Sequence, residues 1–234
     1  MEREIVITGD GSSTIHLPEW DEQYHSKHGA IQEAYHVFIK HGLHYFCDSE
    51  FNPESQKSIS ILEIGFGTGL NTFITLLEAE KLKLNIHYCG VEGYPVLMEE
   101  INQLNYSKEL KSPENEILFK QLHEIPWNED HIITPNFSLI KQHKFFNEIE
   151  DINTYNIIYF DAFGARVQPE LWTEAIFKKM FDALKNKGVL VTYSAKGSVR
   201  RAMQAVGFEV ERLPGPPGKR EMLRATKHLV TSKE

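Results

Sequence analysis

Two cysteines in 234 residues, Cys47 and Cys89, with no Cys-x-x-Cys spacing, exclude a disulfide framework, a zinc ribbon and a dithiol redox centre. No apolar run approaches the roughly 20 residues that cross a bilayer. The start Met1-Glu2-Arg3-Glu4 lacks the basic-then-apolar pattern of a secretory leader, so a cytoplasmic location is expected. Six histidines fall between His16 and His44, but none shows a ligand spacing such as His-Glu-x-x-His, and no metal is expected. Internal repeats, low-complexity tracts and domain-length linkers are also missing, which leaves one α/β domain with additions. An overall basic excess is absent too: the formal net charge is −8. That charge is unevenly divided, however, with 11 basic against 25 acidic residues in 1–160 and 14 against 8 in 161–234. The basic last third, with Lys196, Arg200, Arg201, Arg212, Lys219, Arg220 and Arg224, is either a phosphate-binding patch or a solvated lysine- and arginine-rich surface.

What is present begins with Ser-Ile-Ser-Ile-Leu-Glu-Ile-Gly-Phe-Gly-Thr-Gly-Leu-Asn-Thr-Phe at 58–73. Ile59, Ile61, Leu62 and Ile64 predict a buried parallel strand. Gly65, Gly67 and Gly69 supply positive φ and remove the β-carbons that would hold a ligand off the backbone. Leu70, Phe73, Ile74 and Leu77 then recur at helical spacing. Strand, glycine turn and helix together place free N–H groups at the carboxyl end of a strand, where nucleotide-like ligands bind open α/β sheets. The third glycine comes one residue too early for the dinucleotide fingerprint. Glu63, two positions before Gly65, would repel a pyrophosphate and welcome an ammonium. Glu92 ends the next strand and suits ribose hydroxyls. These features favour S-adenosylmethionine, held by Glu63, Gly65, Phe66, Gly67, Thr68, Gly69, Asn71 and Glu92. The alternative is that Glu63 is a capping carboxylate and Glu92 a solvated strand end.

The remaining segments alternate. Residues 4–16 read as a hairpin around Gly9-Asp10-Gly11, expected at the edge of the main sheet, and Ala30 to Ile39 as a helix. Residues 47–57 read as a polar connector. A helix is expected from Pro95 to about Asn105, a core strand at 137–140, and Gln142 just past it as an adenine contact. Tyr155–Phe160 predicts a strand that delivers Asp161 and Phe163 to the same sheet edge as Gly65. A helix over 173–185, a strand over 188–193, a helix over 199–205 and strands over 208–213 and 222–226 complete the pattern. The fold class is therefore α/β: a Rossmann-like, mostly parallel doubly wound sheet with an antiparallel last strand. Residues 1–57 form a hairpin-and-helix extension on a core of 58–234.

Three blocks carry a resemblance: Leu-Glu-Ile-Gly-Phe-Gly-Thr-Gly-Leu-Asn at 62–71, Phe-Asp-Ala-Phe-Gly-Ala-Arg-Val-Gln-Pro-Glu-Leu-Trp-Thr at 160–173 and Gly-Lys-Arg-Glu-Met at 218–222. With Tyr24–Ala30 and Tyr193–Arg201, they resemble the tRNA wobble-uridine methyltransferase family MnmC, in its single-domain form MnmD. The resemblance implies a class I S-adenosylmethionine-dependent enzyme that methylates the 5-aminomethyl nitrogen of (2-thio)uridine in tRNA. It implies Glu63, Gly65, Gly67 and Glu92 at the cofactor and Asp161 at the transferred methyl. The flavin oxidoreductase domain of the bifunctional relatives has no counterpart here, so another enzyme is expected to supply the amine. The chain departs from the pattern at the third-strand acidic residue, where Gln142 stands.

Asp161 is the expected catalytic group, orienting the amine, unless it only caps a helix. Phe163 and Trp172 are expected either to wall a pocket for a flipped base or to pack in the core. Lys196, Arg200, Arg201, Lys219 and Arg220 are the candidates for anticodon-stem phosphates. A small-molecule amine methyltransferase or an aminopropyltransferase on the same fold is the rival reading.

Overall fold

The computed structural model describes residues 2–50 and 58–228. The predicted connector at 47–57 falls largely outside them. β1 (Glu4–Ile7) and β2 (Ser13–Leu17) pair antiparallel, and β3 (Glu22–Gln23) adds to β2. This hairpin does not border the main sheet as expected. It closes a separate three-stranded sheet, anchored where Asn105 Oδ1 accepts from the Ser13 N–H at 2.8 Å and from its hydroxyl at 3.0 Å.

The predicted helix at 30–39 runs on to residue 50 as α1 (Ala30–Ala34), a π-helical stretch (Tyr35–His44) and α2 (Tyr45–Glu50). Its apolar face buries Val37, Phe38, Ile39 and Leu43. Gly42 is the point of closest approach to the sheet, since a Cβ there would lie 3.1 Å from both Tyr159 and Val191.

The core follows as β4 (Ser58–Ile64), α3 (Leu70–Leu82) and β5 (Asn85–Glu92). Pro95 does not open a helix. Leu97 is still extended, its N–H donates to Glu100 Oε2 at 2.8 Å, and only then does α4 (Met98–Ile101) begin, followed by α5 (Tyr106–Glu109). Next come α6 (Glu116–Glu124), which the sequence reading missed, β6 (Asp130–Thr134), β7 (Phe137–His143) and β8 (Tyr155–Phe160). A short 3-10 turn (Pro169–Trp172) precedes α7 (Glu174–Ala183), β9 (Leu184–Thr192), α8 (Gly197–Ala205), β10 (Phe208–Pro214) and β11 (Glu221–Lys227).

Eight strands form one sheet in the order β10-β11-β9-β8-β4-β5-β7-β6. The pairs β8–β9, β4–β8, β4–β5 and β5–β7 are parallel; β6 and the β10–β11 hairpin are antiparallel. Alternate strand residues enter two cores. Ile59, Ile61, Ile157 and Tyr159 face α3 and the 30–50 helix, whereas Leu62, Ile64, Ile158 and Phe160 face α7 and α8. Burial on both faces accounts for the nearly unbroken apolar runs of these strands. Strand order reverses between β4 and β8, so the carboxyl ends of β4, β5 and β8 converge on one crevice, the usual ligand position in such sheets. Among the described residues no helix is long and apolar enough to cross a membrane.

Candidate active site

A cavity of about 1150 Å³ opens at that crevice. Its volume exceeds the roughly 300–1,000 Å³ of an ordinary small-molecule site, leaving room for two reactants. The floor is the glycine turn. Gly65 has φ of 88°, and a Cβ there would lie 2.7 Å from the backbone oxygen of Asp161, so the turn and the end of β8 touch through bare backbone. Gly67 has φ of 49°, and its N–H donates to Glu92 Oε2 at 2.9 Å. The other Glu92 oxygen accepts from the Tyr94 N–H at 2.9 Å. Both carboxylate oxygens are thereby fixed, with lone pairs left to accept hydroxyls.

Asp161 lies beside this loop with Asn71 at the start of α3. Asn71 Nδ2 donates to Asp161 Oδ2 at 2.8 Å and to Glu63 Oε1 at 2.9 Å. Burial and then the charge of Glu33 push the Asp161 carboxyl up to about 7, against the lowering effects of Asn71 and Lys219. The side-chain oxygen of Asn71, Oδ1, is buried, belongs to a residue that lines the crevice and has no hydrogen-bond partner.

Glu63 is a correction to the sequence reading. It is fully buried beneath the cavity and takes hydrogen bonds from Asn71, the Thr72 hydroxyl at 2.8 Å and the Tyr88 hydroxyl at 3.0 Å. Burial holds it up at about 8. It does not line the cavity and bears on it through Asn71. Gly69 is likewise off the cavity wall: its φ of 71° starts α3, and a Cβ would meet His123 at 2.7 Å. Phe66 reaches the cavity, but its ring packs toward Gly90 and His123, which leaves the backbone as its contribution. Thr68 lines the wall, its Oγ1 accepting from the Tyr106 hydroxyl at 3.0 Å.

Gln142 does not line the cavity; its side-chain oxygen is buried without a partner, and past β7 the wall is Phe145, Phe146 and Asn147. Trp172 is a core residue. Its Nε1 donates to the Phe163 oxygen at 2.7 Å and its ring packs on Phe160, so it supports Phe163 from behind. Phe163 itself lines the cavity, edge-on to Tyr24 with ring centroids 5.0 Å apart and to Trp20 at 5.7 Å.

Of the five basic candidates, only Lys219 lines the cavity. It is not a free surface cation: Nζ reaches Glu33 Oε1 at 2.5 Å and stands 3.7 Å from the centre of the Tyr193 ring. Lys196 immediately precedes α8, Arg200 and Arg201 lie within it, and Arg220 is exposed in the β10–β11 turn, all away from the cavity wall.

The N-terminal contribution escaped the sequence reading. Trp20, Tyr24, His25, Ser26, His28 and Glu33 all line the cavity. His25 sits between the Thr14 hydroxyl at 3.0 Å and the Thr68 hydroxyl at 3.5 Å, and burial drives it down to about 4, so it is neutral. By helical periodicity Glu33 belongs to the polar face of the 30–39 helix, yet it is buried, and a carboxylate is rarely buried without a partner.

Comparison with known proteins agrees with this geometry. The family described as S-adenosyl-L-methionine-dependent methyltransferase matches residues 117–228. The chain is 28% identical over 236 residues to the "tRNA 5-methylaminomethyl-2-thiouridine biosynthesis bifunctional protein MnmC" of Cupriavidus metallidurans, covering 94% of this chain and 33% of that protein. The MnmC of Leptospira interrogans is 30% identical over 224 residues, covering 93% and 34%. The chain thus spans about a third of the length of these curated relatives. The crystal structure of MNMC2 from Aquifex aeolicus superposes with a TM-score of 0.71 at 26% identity, covering 100% of this chain and 73% of that one. Spermidine synthase from Thermotoga maritima, at 15% identity and a TM-score of 0.53 over 92% of this chain and 69% of that one, shares the fold.

S-adenosyl-L-methionine is the cofactor of the matched family, and the residues present suit it. The Gly65 and Gly67 turn lines the cavity with bare backbone and leaves no space for a β-carbon against Asp161 or Tyr24. Glu92 offers fixed acceptors for ribose hydroxyls, and the orphaned Asn71 oxygen awaits an N–H donor such as an α-ammonium.

Proposed function

The chain is a relative of the MnmC methyltransferase domain, and from that premise we propose that it N-methylates the 5-aminomethyl group of (2-thio)uridine at the tRNA wobble position, as a cytoplasmic enzyme. The observation that carries this reading is the Asp161 carboxylate, held by Asn71 at the cavity floor and joined through backbone contact to the Gly65 turn. Bound S-adenosyl-L-methionine supplies a methyl group on a sulfonium sulfur, already activated toward a nitrogen lone pair.

The residues of the chain then have two roles, alignment and proton handling. A primary alkyl amine is protonated near neutral pH and cannot attack until it loses a proton. Asp161, raised to about 7 by burial, suits the second role, being ionised often enough to accept the proton and more basic than an ordinary aspartate. Asn71 fixes one carboxylate oxygen and leaves the other for the amine. Phe163, Tyr24 and Trp20 offer aromatic faces and edges to an extruded base. Gly65, Gly67 and Glu92 would hold the cofactor, and the basic residues of α8 and the β10–β11 turn would meet tRNA phosphates.

The decisive experiment is nucleoside mass spectrometry of tRNA bearing the 5-aminomethyl group after incubation with the protein and labelled cofactor. Label on that nitrogen with wild-type protein and a loss of about 100-fold or more in Asp161→Asn is the expected result. Modification of polyamines with inert tRNA would replace this reading with its rival on the same fold.

A further inference from the structure

Lys219 and Glu33 come from opposite ends of the chain and meet at the cavity wall. Glu33 lies in α1, only 6% exposed, with Oε2 accepting the Ser26 N–H at 2.7 Å and Oε1 taken by Lys219. Lys219 lies in the β10–β11 turn with its ammonium over the Tyr193 ring. The Tyr193 hydroxyl donates to the Ala162 oxygen at 2.8 Å, one residue from Asp161, which closes a ring of contacts from Lys219 back to the proposed base. Glu33 is buried, Lys219 is half-buried, and both share the cavity wall with Asp161, whose carboxyl the charge of Glu33 pushes up, so the arrangement costs desolvation and sets like charges in one cavity. A mere clasp between the termini would not need that arrangement.

We propose that Lys219 is a positioning residue: braced on Tyr193, it fixes Glu33 as a second carboxylate beside Asp161, so that the acceptor enters as a protonated primary amine held by both. This rests on the methyl-transfer reading above. The two carboxylates and one ammonium leave this end of the cavity one negative charge, which selects a cationic acceptor over a neutral amide or hydroxyl. Once the amine is seated, one N–H bond breaks, the proton passes to the Asp161 oxygen not used by Asn71, and the electron pair stays on nitrogen. Glu33, held by Lys219 and the Ser26 N–H, retains a hydrogen bond to the amine. The groups that act on Asp161 are Glu33 from α1, Lys219 from the β10–β11 turn, Tyr193 after β9 and Glu63 from β4; Glu22 of β3 acts on Tyr193, and Glu33 and Lys219 act on His25.

The two partners have opposite electrostatic effects on Asp161, and the test uses that. The pH profile of kcat/KM for methylation is measured for the wild type, Lys219→Gln, Lys219→Arg and Glu33→Gln. Loss of the cation should raise the acid limb by about one unit, loss of the carboxylate should lower it by about one unit, and arginine should restore the wild-type limb. Glu33→Gln should also raise KM for the tRNA about 10-fold at unchanged cofactor affinity. A purely structural clasp would lower the melting temperature of both variants and shift neither limb, or shift both in one direction; either result overturns the proposal. Should Lys219→Gln fail to fold, Glu33→Gln still decides, because an unmoved or raised acid limb in it is equally fatal. An Asp161→Asn variant that still methylates would instead remove Asp161 as the proton acceptor, and wild-type protein that leaves the tRNA unlabelled would sink the methyl-transfer reading itself.

Discussion

One amide nitrogen serves two carboxylates: Asn71 Nδ2 donates to Glu63 Oε1 at 2.9 Å and to Asp161 Oδ2 at 2.8 Å. The buried Glu63 thereby sets the orientation of Asn71, and Asn71 sets that of Asp161. Asn71→Ala removes the donor from both. The Asp161 carboxyl should rise above its present value of about 7, since Asn71 is one of the groups that lower it. The acid limb of the pH–rate profile should move up, and kcat/KM at pH 7 should fall about 10- to 100-fold, in keeping with the ~1–3 kcal/mol of a buried charged hydrogen bond. Steady-state kinetics over pH 6–9 checks this. A profile that drops in height without moving would show that Asn71 acts on the cofactor alone.

Glu63 makes stability pH-dependent in an unusual direction. Its folded carboxyl stands at about 8 against an ordinary 4.5. Between those values the folded chain holds a proton that the unfolded chain has lost. Stability from this group is therefore complete below about 4.5 and drains away as pH rises to about 8. Asp161, at about 7 against 3.8, acts in the same sense over a lower window. Glu63→Gln keeps an acceptor for Asn71 and a donor for the Thr72 or Tyr88 hydroxyl. Its melting temperature should fall less than that of the wild type between pH 5 and 8. Calorimetry giving parallel curves would mean that Glu63 is ionised in the fold.

Most of the fold was legible because its strands are apolar on both faces and its glycine turn is punctuated. Ile59–Ile64 and Tyr155–Phe160 carry no competing signal, and both lie in the centre of the sheet. The stretch from Pro95 to Glu124 was less legible for a local reason: Pro95 resembles a helix start, but the side chain of Glu100 captures the Leu97 N–H and sets the start later. The α6 helix is strongly amphipathic, with Phe119 and Leu122 buried, yet it is short and flanked by polar residues. In the site, Asp161 and the Gly65 turn could be placed because β8 and β4 are neighbours in any doubly wound sheet. Glu33 and Lys219 could not. They lie 186 positions apart, and nothing in periodicity brings the 24–33 segment over the carboxyl ends of the strands.

The basic third predicts a salt-dependent interaction that is separable from the cavity. Arg201 and Arg220 are exposed and stand off the cavity wall, so neither is needed to build the site. Replacing both with alanine should leave cofactor affinity unchanged and weaken tRNA binding. The slope of log K against log salt should shrink by about 0.7–0.9 for each phosphate that is no longer neutralised. Filter binding or anisotropy across a salt series measures it. An unchanged slope would move the tRNA footprint elsewhere.

Arg166 joins the two walls of the acceptor end. Its Nη2 donates to the Trp20 oxygen at 2.9 Å, the Asp21 oxygen at 2.8 Å and Glu22 Oε2 at 3.1 Å, tying the turn before β3 to the segment that carries Phe163. The Arg166 side chain is 56% exposed, so its ion pair contributes little to overall stability, about 0–1 kcal/mol. Its value is geometric, because it keeps Trp20 and Phe163 at their edge-on contact. Arg166→Ala should therefore leave the melting temperature within a few degrees and cofactor affinity unaltered, while KM for the tRNA rises about 10-fold as the aromatic wall loosens. The split between the two substrates is the informative readout. Equal losses toward both would place the 20–24 segment over the cofactor, and no loss toward either would remove the aromatic wall from acceptor recognition.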